Sequence, residues 1–199
     1  MHPDRSFAWT NEDALLDFVR QSPFVRLFAQ TPVGPRVAHL PVLVGDGCVR
    51  FHLANRNALT PHLTGAVALI VAEGPNGYVS ANWYADGRQA VPTWNYIAVE
   101  IEGPVRRLDR AALITLVDEQ ANDLEPRVGE DWTRAKLDPT RFDALLNAIT
   151  GFELRITALR GTRKLSQNKA GAELAAVLNG LDRSRQQALA QAVRDLQNE

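Results

Sequence analysis

The chain reads as mainly β with flanking α: a small antiparallel barrel preceded by one helix and followed by a helical tail. Three observations carry this reading. Between residues 24 and 72 the sequence breaks into strand-sized runs separated by Gly, Pro, Asn and Asp. Residues 96–102 alternate strictly, with Ile97, Val99 and Ile101 on one face and Ala98, Glu100 and Glu102 on the other. The strand–helix alternation of a doubly wound fold is absent, as are the GxGxxG and GxxxxGK[ST] phosphate loops.

The elements follow in order. Thr10 is placed to cap a first helix, with Asp13 at the capping-box position and Leu15, Leu16, Phe18 and Val19 as its apolar stripe; Ser22-Pro23 ends it. Strands are expected over residues 24–29, 36–44, 48–54 and 67–72, with turns at 31–35, 45–47 and 74–77. Residues 77–96, GYVSANWYADGRQAVPTWNY, interleave Tyr78, Trp83, Tyr84, Trp94 and Tyr96 with Ser80, Asn82, Thr93 and Asn95. Aromatic faces set among short uncharged polar groups suit a flat, polar-edged ligand. Asp86-Gly87 reads as the turn of this hairpin. Asp109 is expected to cap a helix to about Gln120, residues 125–136 to be irregular, and 139–149 to form a short helix. A last strand is expected from Gly151, where Phe152, Leu154 and Ile156 alternate with polar residues. Two tail helices follow, the second capped by Asp182.

The 199 residues, 45% hydrophobic, can bury a single core without disulfides. Cys48 is the one cysteine, so a reducing cytoplasm is the expected setting. Its strand context marks it as a half-buried filler. The N-terminus lacks the pattern of a signal peptide, and no apolar run is long enough to span a bilayer. A net charge of -1 argues against a surface that binds nucleic acid as a whole.

Two polar constellations stand out beside the aromatic segment. A strand ends at Ala54-Asn55-Arg56-Asn57, where backbone N–H groups and the Arg56 charge would make an anion site. Residues 155–169 hold five basic residues and no acid, and Ser166 is placed to cap the helix beyond. His39 and His52 lie in neighbouring strands, where backbone-bonded histidines are the commoner case. No GxSxG serine or HExxH zinc motif is present.

HLP at 39–41, FHLANRN at 51–57, GYVSANWY at 77–84, VPTWNY at 91–96, GFEL at 151–154 and KLSQN at 164–168 occur in this order in another family. On these motifs the chain closely resembles the PaiB-like family of FMN-binding negative transcriptional regulators. The resemblance runs from the first helix to about Leu181. It implies the FMN-binding split β-barrel, related to pyridoxamine phosphate oxidases and flavin reductases, over residues 1–168, with a helical extension over 169–199 packed on it. It further implies a homodimer with FMN at the subunit interface. His39, His52, Asn55, Arg56 and Asn57 become candidate phosphate and ribityl contacts. Ser80, Asn82 and Trp83 would lie along the ribityl chain or ring, and Thr93, Trp94 and Asn95 near the ring or interface. Lys164, Ser166, Gln167 and Asn168 would approach from the C-terminal loop. Where family members often carry Ala-Arg-Ala-Asn-Pro, this chain has Ala54-Asn55-Arg56-Asn57-Ala58, which shifts the arginine and loses the proline. The implied role is a negative regulator in direct or indirect contact with DNA. The alternatives are an FMN-dependent oxidoreductase or flavin reductase, and a haem-binding split barrel.

Overall fold

A computed structural model describes residues 2–84 and 90–198. Nine strands run through it: β1 Ala8–Trp9, β2 Phe24–Thr31, β3 Gly34–Pro41, β4 Leu43–Val44, β5 Cys48–Ala54, β6 Val67–Val79, β7 Thr93–Arg107, β8 Ile149–Arg155 and β9 Ala158–Lys164. The helices are α1 Glu12–Gln21, α2 Arg110–Leu124, α3 Pro139–Leu146, α4 Gly171–Arg183 and α5 Gln187–Gln197. Two compact units emerge, one of Leu16–Ala72 with Glu100–Leu159, the other of Met1–Leu15, Glu73–Val99 and Arg160–Glu199.

The main path of the sheet has the strand order β3-β2-β6-β7-β8-β5-β4. The pairings in register are antiparallel: Phe28 faces Val37 and Leu69, and Phe51 faces Phe152. The period of two sends Val25, Leu27 and Ala29 inward and Phe24 and Phe28 outward. Phe51 and Phe152 are fully buried and stack with centroids 5.7 Å apart, each worth about 1.5–3 kcal/mol of burial. The Asp109 carboxylate accepts from Ala112 N at 2.8 Å and starts α2, as expected. Leu113 and Leu116 of α2 then meet Phe142 and Leu146 of α3 in one apolar cluster.

In the second unit β9 pairs with β1, setting Ala8 against Thr162 and Trp9 against Gly161, and also with β7. The α5 residues Leu189, Ala190 and Val193 are buried.

Several elements differ from expectation. Asn11, not Thr10, caps α1, its Oδ1 accepting from Ala14 N at 3.1 Å. The expected turn at residues 74–77 is the continuation of β6. Gly77 is there for close approach, since a Cβ would overlap the Gln186 side chain and press on Leu189. The strand at Gly151 is not the last, because β9 follows it. Its sequence, ALRGTRK, lacks apolar alternation and offers no strand signal. Asp182 lies inside α4 and pairs with Arg194 at 2.6 Å, while the turn between the tail helices falls at Ser184–Gln186, where Arg185 takes φ 60°. Asp86-Gly87, the expected hairpin tip, lies outside the described residues.

Candidate functional site

Strand β7 opens with Thr93-Trp94-Asn95-Tyr96, and its pleat divides this motif between two faces. Thr93 and Asn95 turn to a cavity of about 330 Å³, lined also by Phe7, Tyr84, Lys164 and Ser166. Trp94 turns the other way. It is half exposed, its indole N–H donates to Asn76 Oδ1 at 3.1 Å, and Tyr78 meets it edge-on at 6.2 Å.

The cavity wall is built from β7 and from the chain leaving β9. Lys164 Nζ donates to Thr93 Oγ1 at 2.6 Å and lies 5.6 Å from the Phe7 ring centre. Ser166 was expected to cap a helix. Instead it is buried with φ 61°, a left-handed conformation that a serine adopts only when its surroundings hold it. Its hydroxyl accepts from Asn95 Nδ2 at 2.8 Å. Ala170 occupies the cap position of α4 and provides no side-chain bond. Asn95 is fully buried, and its Oδ1 has no hydrogen-bond partner, although buried acceptors nearly always find one. Gln167 stabilises the loop itself: its Nε2 donates to the carbonyls of Arg163 and Ser6, and its Oε1 accepts from Leu165 N. Asn168 lines the cavity and is exposed.

Charge around the cavity is mixed. Lys169 pairs with Glu173 at 3.1 Å and lies 4.8 Å over the Tyr84 ring. The amide of Ser6, with its side chain, holds the Asp4 carboxyl below its usual range, and Lys164 contributes to the same effect. Burial pushes the Tyr84 phenol up.

Ser80 and Asn82 flank this region in a 3-10 turn where Ser80 Oγ accepts from Asn82 N at 3.2 Å. Trp83 lies against Gly180 of α4 so closely that a Cβ there would overlap the indole. A helix backbone therefore covers part of that ring.

His39, His52, Asn55, Arg56 and Asn57 belong to the other unit. His39 is exposed on the outer face of β3, stacked at 6.5 Å on Phe24. His52 is half-buried beside Gln120, and burial pushes its imidazole pKa down. Of the backbone amides expected to be free around residues 55–57, those of Asn55 and Asn57 are engaged. Asn55 N donates to Ala148 O at 2.8 Å and Asn57 N to Ala54 O at 2.9 Å. Asn55 Nδ2 donates to Asn147 O, its Oδ1 accepts from Thr150 Oγ1 at 2.7 Å, and Asn57 Oδ1 accepts from Leu59 N. Arg56 is exposed.

The structure thus gathers Thr93, Asn95, Lys164, Ser166 and Asn168 around one cavity and turns Trp94 away from it. His2, Asp4, Phe7 and Lys169 also line it without having been singled out. Lys169 belonged to the basic run at residues 155–169 and could have been found there. The N-terminal residues reach the cavity through the pairing of β1 with β9, which has no local signal.

A family model described as "Putative FMN-binding domain" matches residues 1–158. The chain is similar to the protease synthase and sporulation protein PAI 2 of Bacillus subtilis, 26% identical over 174 residues that cover 85% of this chain and 83% of that protein. It is similar also to an uncharacterized protein of Aspergillus fumigatus, 27% identical over 198 residues, covering 81% and 74% of the two chains. Among solved structures it shares the fold of the flavocytochrome Anf3 from Azotobacter vinelandii, with TM-score 0.66, 16% identity, and coverage of 86% and 73%. The same holds for a FAD and haem binding protein from Mycobacterium smegmatis, with TM-score 0.63, 16% identity, and coverage of 85% and 79%. The architecture is the split β-barrel of flavin-binding proteins.

Proposed function

This chain belongs to the FMN-binding domain family, and from that premise we propose that it holds FMN, acts as a homodimer in the cytoplasm, and serves as a negative transcriptional regulator. The observation that carries the flavin reading is the buried Asn95 Oδ1, an unpartnered acceptor on the wall of a cavity of small-molecule size. The donor set fits the cofactor: two lysines, a hydroxyl, an amide acceptor and the rings of Phe7 and Tyr84 suit a flat heteroaromatic group with polar edges. Thr93, Asn95, Lys164, Ser166 and Asn168 would hold it. When bound, FMN supplies one- and two-electron redox chemistry, and the protein supplies binding, orientation and charge.

The homodimer is supported by the outer face of β2, β3 and the start of β6. Phe24 (68% exposed), Phe28, Val37 and Val67 (61% exposed) share that face, an apolar patch of the kind that partners cover. The resemblance of the motifs at residues 39–41, 51–57, 91–96 and 164–168 supports regulation through DNA, by direct contact or through a partner. Residues 169–199 act as a helical extension of the barrel that follows β9 and carries α4 and α5.

Lys164 favours a second reading, an FMN-dependent oxidoreductase or flavin reductase. Its ammonium is held on the cavity wall by Thr93, and a cation at the pyrimidine edge of a flavin stabilises the reduced anion.

The test is the visible spectrum of the purified protein before and after FMN is added and the sample desalted. Retained bands near roughly 370 and 450 nm support the flavin reading, and a protein that keeps none overturns it. A Soret band would point to haem. Bleaching by NAD(P)H favours the oxidoreductase. Salt-sensitive retention of DNA by a dimer, without bleaching, favours the regulator.

A further inference from the structure

Three polar side chains on the wall of the Asn95 cavity form an ordered set. Thr93 and Asn95 stand two residues apart on one face of β7, and Lys164 reaches Thr93 from the end of β9. Because Lys164 donates to the Thr93 oxygen, the Thr93 hydroxyl proton is left to donate elsewhere, as are the other protons of the ammonium. Asn95 contributes the opposite polarity. Its Nδ2 is engaged by Ser166 Oγ, which fixes the amide plane and leaves Oδ1 as an acceptor. Ser166 is held in a left-handed conformation at that contact. The wall therefore offers donors beside one oriented acceptor.

The charges decide which part of a ligand belongs here. Lys164 and Lys169 are matched by Asp4 and by Glu173, which pairs with Lys169. Among the described residues, two ammonium groups stand against the Asp4 carboxylate on the lining and the Glu173 carboxylate that pairs with Lys169, which leaves no excess positive charge for a dianionic phosphate. A neutral polar edge suits the site better.

Building on the flavin reading above, we propose that Asn95, oriented by Ser166, recognises the imide edge of the isoalloxazine ring. That edge presents carbonyl, N–H, carbonyl: acceptor, donor, acceptor. Asn95 Oδ1 receives the ring N3–H, and the hydrogen-bonded Lys164–Thr93 pair serves one of the carbonyls beside it. Asn95 is then the specificity-determining residue, and Ser166 a positioning residue that acts through it. A pyrimidine nucleotide such as UMP carries the same imide edge, so it is the competing source of this chemistry.

The experiment measures retention of three probes by the intact wild-type protein: FMN, its N3-methyl analogue and UMP. Methylation removes the one donor and leaves the buried acceptor unmatched, so FMN should bind about tenfold or more tightly than the analogue. Equal affinity for FMN and the N3-methyl compound overturns the imide assignment and leaves the flavin reading standing. Binding of UMP without FMN overturns the flavin reading and supports imide recognition. Binding of none of the three overturns both. Asn95→Leu should erase the preference for FMN over the analogue. If that variant does not fold, the wild-type comparison decides alone.

Discussion

Two asparagine-bearing segments of this molecule, at the end of β5 and the start of β7, differ in what their amides do. At the end of β5, Asn55 and Asn57 are engaged within the fold, Asn55 through both ends of its amide and Asn57 through its carbonyl oxygen. On β7, Asn95 donates to Ser166 and leaves its oxygen buried and unpartnered. The first segment ties the end of β5 to the turn between α3 and β8. The second keeps an unmatched acceptor in a cavity wall and holds Ser166 in a disfavoured conformation. A polar side chain that completes its own bonds supports the fold, whereas one left incomplete at a cavity is available to a ligand.

The contrast can be broken by substitution. The largest effect is expected from Asn95→Leu, which should weaken FMN retention by about tenfold or more and cost about 1–3 kcal/mol of stability, since the buried Ser166 hydroxyl loses its donor. Equilibrium dialysis and urea melts read the two quantities separately. Asn55→Ala should affect stability alone. Loss of its bonds to Asn147 O and Thr150 should cost about 1–2 kcal/mol in a urea melt and leave FMN retention as it was. If Asn55→Ala instead abolished retention at unchanged stability, the division between the segments would be wrong.

Ser166→Gly sharpens the comparison from the strain side. Glycine relieves the φ of 61°, a gain of about 1 kcal/mol, but removes the hydroxyl that orients Asn95. Melts should show stability nearly unchanged, and FMN should lose part of its preference over the N3-methyl analogue.

The smallest effect concerns His52. Burial lowers its pKa in the folded state, so the unfolded chain takes up the proton first as pH falls. The neutral ring's contribution is therefore fully present above the unfolded pKa. It declines as pH drops through that value towards the lower folded one. His52→Gln should flatten the stability profile on the acid side of the ordinary histidine pKa of about 6.5. An unchanged slope there would remove His52 from the account.

Much of the fold was legible in local pattern. The bounds of β5 match the expected strand, and the alternation of Ile97, Val99 and Ile101 places them inward as β7 requires. Asp109 caps α2 because a short carboxylate ahead of a helical run has a nearby donor in any tertiary setting. The positions missed are those decided by distant neighbours. Gly77 and Pro75 spell a turn, yet they lie within β6, where Gln186 and Leu189 come up against Gly77. Strand β9 lacks apolar alternation and owes its conformation to pairing with β1 and β7.

The same division holds for the site. By itself the sequence determined the mainly antiparallel class, most element positions, and the motifs that place the chain in an FMN-binding family, because period, capping and motif order are properties of neighbours along the chain. Only the tertiary structure separated Asn95 from Asn55, Thr93 from Trp94, and Ser166 from an ordinary helix cap. Those distinctions rest on which groups satisfy one another across long stretches of sequence, such as the separation of 71 positions from Asn95 to Ser166. A hydrogen bond of that kind has no local period to reveal it.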